Sequence, residues 1–217
     1  MASGFVHMRW VAPVPETAYT FGEESDHVKS FNNEIYFTSE VDVGSIDSLI
    51  KELLTVIQRL NQTQSAVFTC ASGQRKRIIL FIDSPGGTLK DCFKFVDFIE
   101  AIKKVHNIVF VTVCTGIVAS AATLIALTGD ERYVTSNVTC MIHELFGGTM
   151  GTYTQLSAGM KHVSIYHKKL ISLYLKYNSK LDEAAIVDLL KKETWFDAQE
   201  YVDNGFAQAI YMQDHGM

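Results

Sequence analysis

Residues 108–129 read IVFVTVCTGIVASAATLIALTG, an uncharged run long enough to span a bilayer. Its two halves differ in kind. Ile108–Cys114 is β-branched and is followed by Thr115-Gly116, whereas the stretch from Ala119 is rich in alanine and carries a serine, so the run reads as a buried strand followed by a buried helix. The flanks repeat the theme. On the N-terminal side, the strand Ile78–Ile82 runs into the turn Asp83-Ser84-Pro85-Gly86-Gly87, and Leu89–Val105 places Phe93, Val96, Phe98, Ile99 and Ile102 at helical spacing. Earlier still, Glu34–Thr38 reads as a strand, and a helix opened by Ser45-Ile46-Asp47 carries Leu49, Ile50, Leu53, Leu54 and Ile57 to about Asn61. On the C-terminal side come strands near Tyr133 and at Cys140–His143, the glycine-rich link Gly147–Gly151, a long helix Leu156–Leu175 and a second helical stretch Leu181–Leu190. Strands alternating with helices predict an α/β fold with a mostly parallel sheet and right-handed crossovers.

The 217 residues are 47% hydrophobic and 20% charged, with three prolines, enough to bury a full core. We expect one domain over residues 30–217. Residues 1–29, with scattered aromatics, Pro13, Pro15 and the acidic run Glu23-Glu24-Ser25-Asp26, read as an N-terminal arm. A net charge of −5 argues against a nucleic-acid partner, because neutralising phosphates takes an excess of Lys and Arg. Four separated cysteines without a CxxC pair, and no basic stretch leading into an apolar leader, predict a reduced, cytoplasmic protein off the membrane. His162 and His167 do not stand at a zinc-ligand spacing on one helix face, and no P-loop occurs, so neither metal nor cofactor is expected. Gln62–Arg77 reads as a loop or hairpin, its Arg75-Lys76-Arg77 patch as solvated, and Cys114 as packing.

Three features point to acyl transfer. Gly116-Ile-Val-Ala-Ser120-Ala-Ala122 sets a serine where a buried strand becomes a small-residue helix, with backbone N–H groups nearby; a helix-capping serine is the plainer reading. Met141-Ile142-His143-Glu144 ends a short apolar strand on a histidine, which taken singly reads as a satisfied edge histidine. Ser84-Pro85-Gly86-Gly87 offers unobstructed backbone N–H groups of the kind an oxyanion hole uses. Only their combination is specific. It is not the G-x-S-x-G elbow, and no histidine follows late in the chain as that order requires.

The combination resembles the ClpP family, the proteolytic subunits of Clp proteases, from about Glu34 to Ile210. The matching stretches are Phe81–Gly87, Thr115–Ala121, Met141–His143 with Phe146–Gly148, and Trp195–Glu200 leading to Asn204-Gly205. The resemblance implies a ClpP/crotonase-like fold of repeated β-β-α units with a protruding handle helix, here Leu156–Leu175. It also implies a serine endopeptidase with Ser120 as nucleophile, His143 as general base and the Gly87 and Ala121 N–H groups as oxyanion hole. Phe146, Gly147 and Gly148 then belong to a strand that binds extended peptide by main-chain hydrogen bonds. Heptameric rings, commonly paired into a tetradecamer, would enclose the sites, the arm would lie near the axial pore, and an AAA+ unfoldase such as ClpX or ClpA would feed unfolded chains.

The chain departs from the family at several points. The family's triad aspartate, followed by threonine, is best matched by Glu193-Thr194 if the chain is shorter just after it; without that gap the position falls on Leu189, beside Asp188. Glu193 is therefore the expected orienter of His143, with Asp188 as its rival. In the gapped register Lys191 and Lys192 replace residues that join the family's two rings, and Lys192 could pair with Glu144 across that interface. The loop 62–77 is longer than the family's, and Ile79 stands where a tyrosine usually lines the unfoldase-docking pocket, with Phe81 two residues on. These changes leave two other functions open: an inactive or regulatory ring subunit, and a crotonase-type acyl-handling enzyme with no need of Ser120 and His143.

Overall fold

The computed structural model describes residues 28–66, 75–148 and 150–211. In chain order the elements are strands Val28–Phe31 (β1) and Glu34–Phe37 (β2), helix Val43–Ala66 (α1), strand Lys76–Ser84 (β3), helix Leu89–His106 (α2), strand Ile108–Ala119 (β4) and helix Ala121–Leu127 (α3). They continue with strands Glu131–Val134 (β5) and Thr139–Ile142 (β6), helices Tyr153–Tyr177 (α4) and Glu183–Lys191 (α5), strand Thr194–Phe196 (β7), helix Ala198–Asp203 (α6) and strand Ala209–Ile210 (β8).

One sheet joins all eight strands in the path β1-β2-β3-β4-β5-β8, with β6 branching from β4 and β7 paired to β6. The pairs β2–β3, β3–β4, β4–β5, β4–β6 and β5–β8 are parallel, while β1–β2 and β6–β7 are antiparallel, as the alternating pattern predicts. The branch arises inside the uncharged run. Its strand does not end at Thr115-Gly116 as expected but continues to Ala119, because Gly116 adopts φ 53° and the Asp83 carboxylate accepts the Ile117 N–H at 3.0 Å. The β3–β4 register slips between Ile82 and Ser84, a bulge that bends β4 away from β5 and towards β6.

Along β3, Ile78, Leu80, Ile82 and Ser84 are buried while the alternate residues are not, so only one face is fully covered. That core also holds Leu49 and Leu53 of α1, Phe95 and Ile99 of α2 and all of α3. On the other face Phe81 stacks on Tyr36 at 4.9 Å, and Tyr211 bridges Phe81 and Tyr133 at 5.9 and 6.0 Å. Only Leu170, Ile171 and Tyr174 of α4 are buried, so its N-terminal part projects from the body, as the handle expectation required. At 25 residues it is about 37 Å long.

Three local expectations are revised. Helix α1 runs past Asn61 to Ala66, so the segment read as a loop from Gln62 begins as helix, and residues 67–74 lie outside the described part. Arg75 and Arg77 are exposed as expected, but Lys76 and Arg77 open β3 rather than end a loop, and all three are tied down: Arg75 donates to the Ile108 carbonyl, Lys76 to Asn61, and Arg77 forms a two-pronged pair with Glu131 at 2.6 and 2.8 Å. Of the arm expected over 1–29, Val28 and Lys29 belong to β1, and the rest lies outside the described residues. No helix among the described residues is long and apolar enough to cross a membrane.

Helices α2 and α4 are clamped by Glu100. Its carboxylate meets Lys176 at 3.0 Å and Lys103 at 3.3 Å and accepts from the Tyr177 hydroxyl at 2.9 Å. Burial opposes its ionisation, yet these partners outweigh burial and draw its pKa down to about 2. A depressed carboxyl stabilises above its unfolded pKa and loses that contribution as pH falls through the folded value. Glu100→Gln should therefore cost about 1 kcal/mol at pH 7 in thermal unfolding, with the deficit closing between about pH 4.5 and 2.

Candidate active site

Ser120 follows the last residue of β4 and caps α3 with φ 55° and ψ −126°, a conformation rare for a residue with a side chain. Its N–H donates to the Met141 carbonyl of β6 at 2.8 Å, which ties the junction to the strand that carries the histidine. The register Ile117↔Thr139, Val118↔Cys140, Ala119↔Met141 sets the two strand ends side by side. His143, one residue beyond β6, thereby brings its Nε2 to 2.7 Å from the Ser120 Oγ. A neutral imidazole with its proton on Nδ1 accepts the serine O–H in this geometry, so the pair can pass a proton from Oγ to Nε2 as the oxygen attacks an electrophile.

The Ser84–Gly87 turn packs directly on this junction. A Cβ at Gly86 would stand 2.7 Å from the Ser120 Cβ and 2.5 Å from the Ala119 carbonyl, and φ 94° further restricts the position to glycine. Val41 stitches the turn down: its N–H donates to Gly86 O and its carbonyl accepts from Thr88 N, each at 2.7 Å. Among the described residues neither the Gly87 nor the Ala121 N–H is committed to an acceptor, and both residues line the cleft with Ser120 and His143. Two open N–H groups beside a nucleophilic oxygen suit a tetrahedral oxyanion.

The acid is placed differently from the other two. Extending the antiparallel register Cys140↔Phe196, Met141↔Trp195, Ile142↔Thr194 by one step sets Glu193 across from His143. Glu193 has φ 50° and donates its N–H to Leu190 O, but its side chain is exposed and makes no hydrogen bond to the imidazole. The rival Asp188 is engaged at 2.6 Å by Lys192, the residue that caps the end of its helix. Ser120 and His143 are thus brought together, and no described carboxylate reaches the histidine.

The cleft has a volume of about 450 Å³ and continues along Glu144, Leu145 and Phe146 to Tyr166, Leu170 and Tyr174 of α4. Phe146, Gly147 and Gly148 are exposed and outside any regular element, so their main-chain groups are open to pairing. His162 packs edge-on against Tyr166 at 4.5 Å, and no group of side chains able to hold a metal occurs among the described residues. Sequence reading named the Gly86-Gly87 pair for its open N–H groups but missed Asp83 as a builder of the site and Gly86 as the point of closest approach to Ser120. The Asp83 contact to Ile117 has no local signature. Gly86→Ala should cost about 2–4 kcal/mol in unfolding and slow fluorophosphonate labelling of Ser120 by at least about 100-fold, read by mass spectrometry.

Comparison with known proteins gives the family. Residues 29–214 match the family described as Clp protease. Over 180 residues the chain is 28% identical to the ATP-dependent Clp protease proteolytic subunit of Streptococcus agalactiae, covering 81% of this chain and 83% of that protein. The subunit of the same name from Lactococcus lactis is 28% identical over 179 residues, covering 81% of each, and that from Streptococcus salivarius is 27% identical over 180, covering 81% and 83%. Matched over residues 29–214, most of its length, the chain belongs to the Clp protease family.

Proposed function

We propose that this protein is a serine endopeptidase, the proteolytic subunit of a Clp-type ATP-dependent protease, with Ser120 as nucleophile and His143 as general base. The 2.7 Å contact between His143 Nε2 and Ser120 Oγ carries the proposal. His143 takes the hydroxyl proton as Ser120 attacks the peptide carbonyl, and the Gly87 and Ala121 N–H groups bind the oxyanion. The imidazolium returns the proton to the leaving amine, and the acyl-enzyme is then cleaved by water activated through the same histidine. The substrate runs extended along Phe146, Gly147 and Gly148, pairing by main-chain hydrogen bonds. Glu193, across the strand pair from His143, is the residue that orients the imidazole when its exposed side chain turns inward.

The assembled enzyme is a cytoplasmic homo-oligomer of heptameric rings, probed by unfolded chains and short peptides and fed by an AAA+ unfoldase such as ClpX or ClpA, which supplies the ATP hydrolysis. Two surfaces support this. The projecting part of α4 exposes Leu156, Met160 and Ile165, with Met150 and Tyr153 just before and at its start, an apolar edge suited to burial between subunits. The Tyr36, Phe81, Tyr133 and Tyr211 rings form an aromatic row on the other sheet face, a seat for an unfoldase loop although Ile79 replaces the family's tyrosine.

That no carboxylate among the described residues meets His143 favours one other reading, an inactive or regulatory ring subunit. Activity-based labelling separates the two. Fluorophosphonate should modify Ser120, and Ser120→Ala should abolish both labelling and turnover of a fluorogenic peptide; unlabelled but fully assembled rings would establish the regulatory reading. Glu193→Ala should lower kcat by about 10²–10⁴ with Ser120 and His143 intact, while Asp188→Ala leaves it unchanged. Lys192→Glu should alter the sedimentation profile if Lys192 meets Glu144 across paired rings.

A further inference from the structure

We infer that Tyr174 is a positioning residue for the nucleophile, acting through Thr123: a buried hydroxyl relay from the handle helix holds the Ser120 backbone in its attacking conformation. The inference rests on the serine-peptidase reading above. Its starting point is a conformation that needs support, since φ 55°, ψ −126° costs on the order of 1–3 kcal/mol for a non-glycine residue and persists only where neighbours enforce it. One restraint is the bond from Ser120 N to Met141 O. The other falls on the Ser120 carbonyl, which accepts both the Thr123 N–H at 3.1 Å and the Thr123 hydroxyl at 2.6 Å.

Thr123 has one hydroxyl proton, and it is spent on Ser120. The Tyr174 hydroxyl, 2.7 Å from Thr123 Oγ1, is therefore the donor in their contact. Donation into Oγ1 polarises the threonine O–H and strengthens its bond to the serine carbonyl. Both side chains are fully buried, so water does not compete for these groups. Burial also raises the Tyr174 phenol above its ordinary value and keeps it protonated. The ring is fixed from behind by Phe206, edge-on at 6.1 Å. Because Tyr174 belongs to α4, any shift of that helix reaches Ser120 through two hydrogen bonds.

The test uses the full-length protein, with wild type, Tyr174→Phe, Thr123→Val, Thr123→Ser and the double variant Tyr174→Phe/Thr123→Val. Tyr174→Phe keeps the ring and loses only the donor; it should slow fluorophosphonate labelling of Ser120 by about three- to tenfold. Peptide kcat should fall by the same factor with KM within about twofold, since Tyr174 is buried in the floor of the cleft and the hydroxyl removed faces Thr123. Thr123→Val should match or exceed that loss, Thr123→Ser should restore the wild-type rate, and the double variant should be no slower than the slower single. Labelling of Tyr174→Phe at the wild-type rate, a loss confined to KM, or a double variant equal to the product of the singles would overturn the relay. Should Tyr174→Phe fail to fold, the Thr123→Val and Thr123→Ser pair decides: equal rates for the two reject the relay, and rescue by serine alone upholds it. Wild-type protein that does not label at Ser120 would instead remove the peptidase reading, and the relay with it.

Discussion

Ser120 is held against its own backbone preference, and much of the molecule is arranged around holding it. The Met141 carbonyl fixes its N–H, Thr123 fixes its carbonyl, and the Gly86 backbone lies so close that a side chain there would collide with it. Two segments remote in sequence, β6 and the turn after β3, meet the start of α3 at this one residue. A conformation this costly survives only because each contact comes from a packed element: β6 below, α3 beyond and the turn after β3 beside it. The Val41 backbone bridges that close the turn extend the same chain of constraint to the segment between β2 and α1.

The branched sheet makes this meeting possible. A straight β4 would carry its C-terminal half beside β5, far from β6. Instead Gly116 turns the strand, Asp83 takes the N–H of Ile117, and the register with β3 slips, so the second half of β4 pairs with β6. Parallel pairing then delivers two strand ends in the same direction, one leading to Ser120 and the other to His143. Side chains at the C-terminal edge of parallel strands converge on a common opening, the usual location for a site in an open α/β sheet.

Helix α4 serves both the site and the surface. Its C-terminal part is anchored by Leu170, Ile171 and Tyr174 and pinned through Lys176 and Tyr177 to Glu100, while its N-terminal part leaves the body with apolar residues exposed. An apolar edge of that kind is costly in water. The same helix lines the cleft with Tyr166 and Leu170, so its position shapes the cleft as well as the exposed apolar edge.

Most elements were legible in the sequence, because strand and helix periodicities are local and the core residues follow them: Ile78–Ile82, Leu89–Val105 and Leu156–Leu175 each fall inside an observed element. Ser120, His143 and Gly87 stood out by residue type and by their places after predicted strands, and the resemblance to the Clp protease family gave them their expected roles. Composition and pattern thus determined an α/β protein with a serine and a histidine at strand ends. Tertiary structure alone decided the rest. Whether β4 stops at Gly116 depends on the Asp83 carboxylate and the β6 edge, and which backbone position stands across the strand pair from His143 depends on the register of β7 against β6. Such outcomes turn on backbone dihedrals and cross-strand pairings set by contacts tens of residues apart, which no local period encodes.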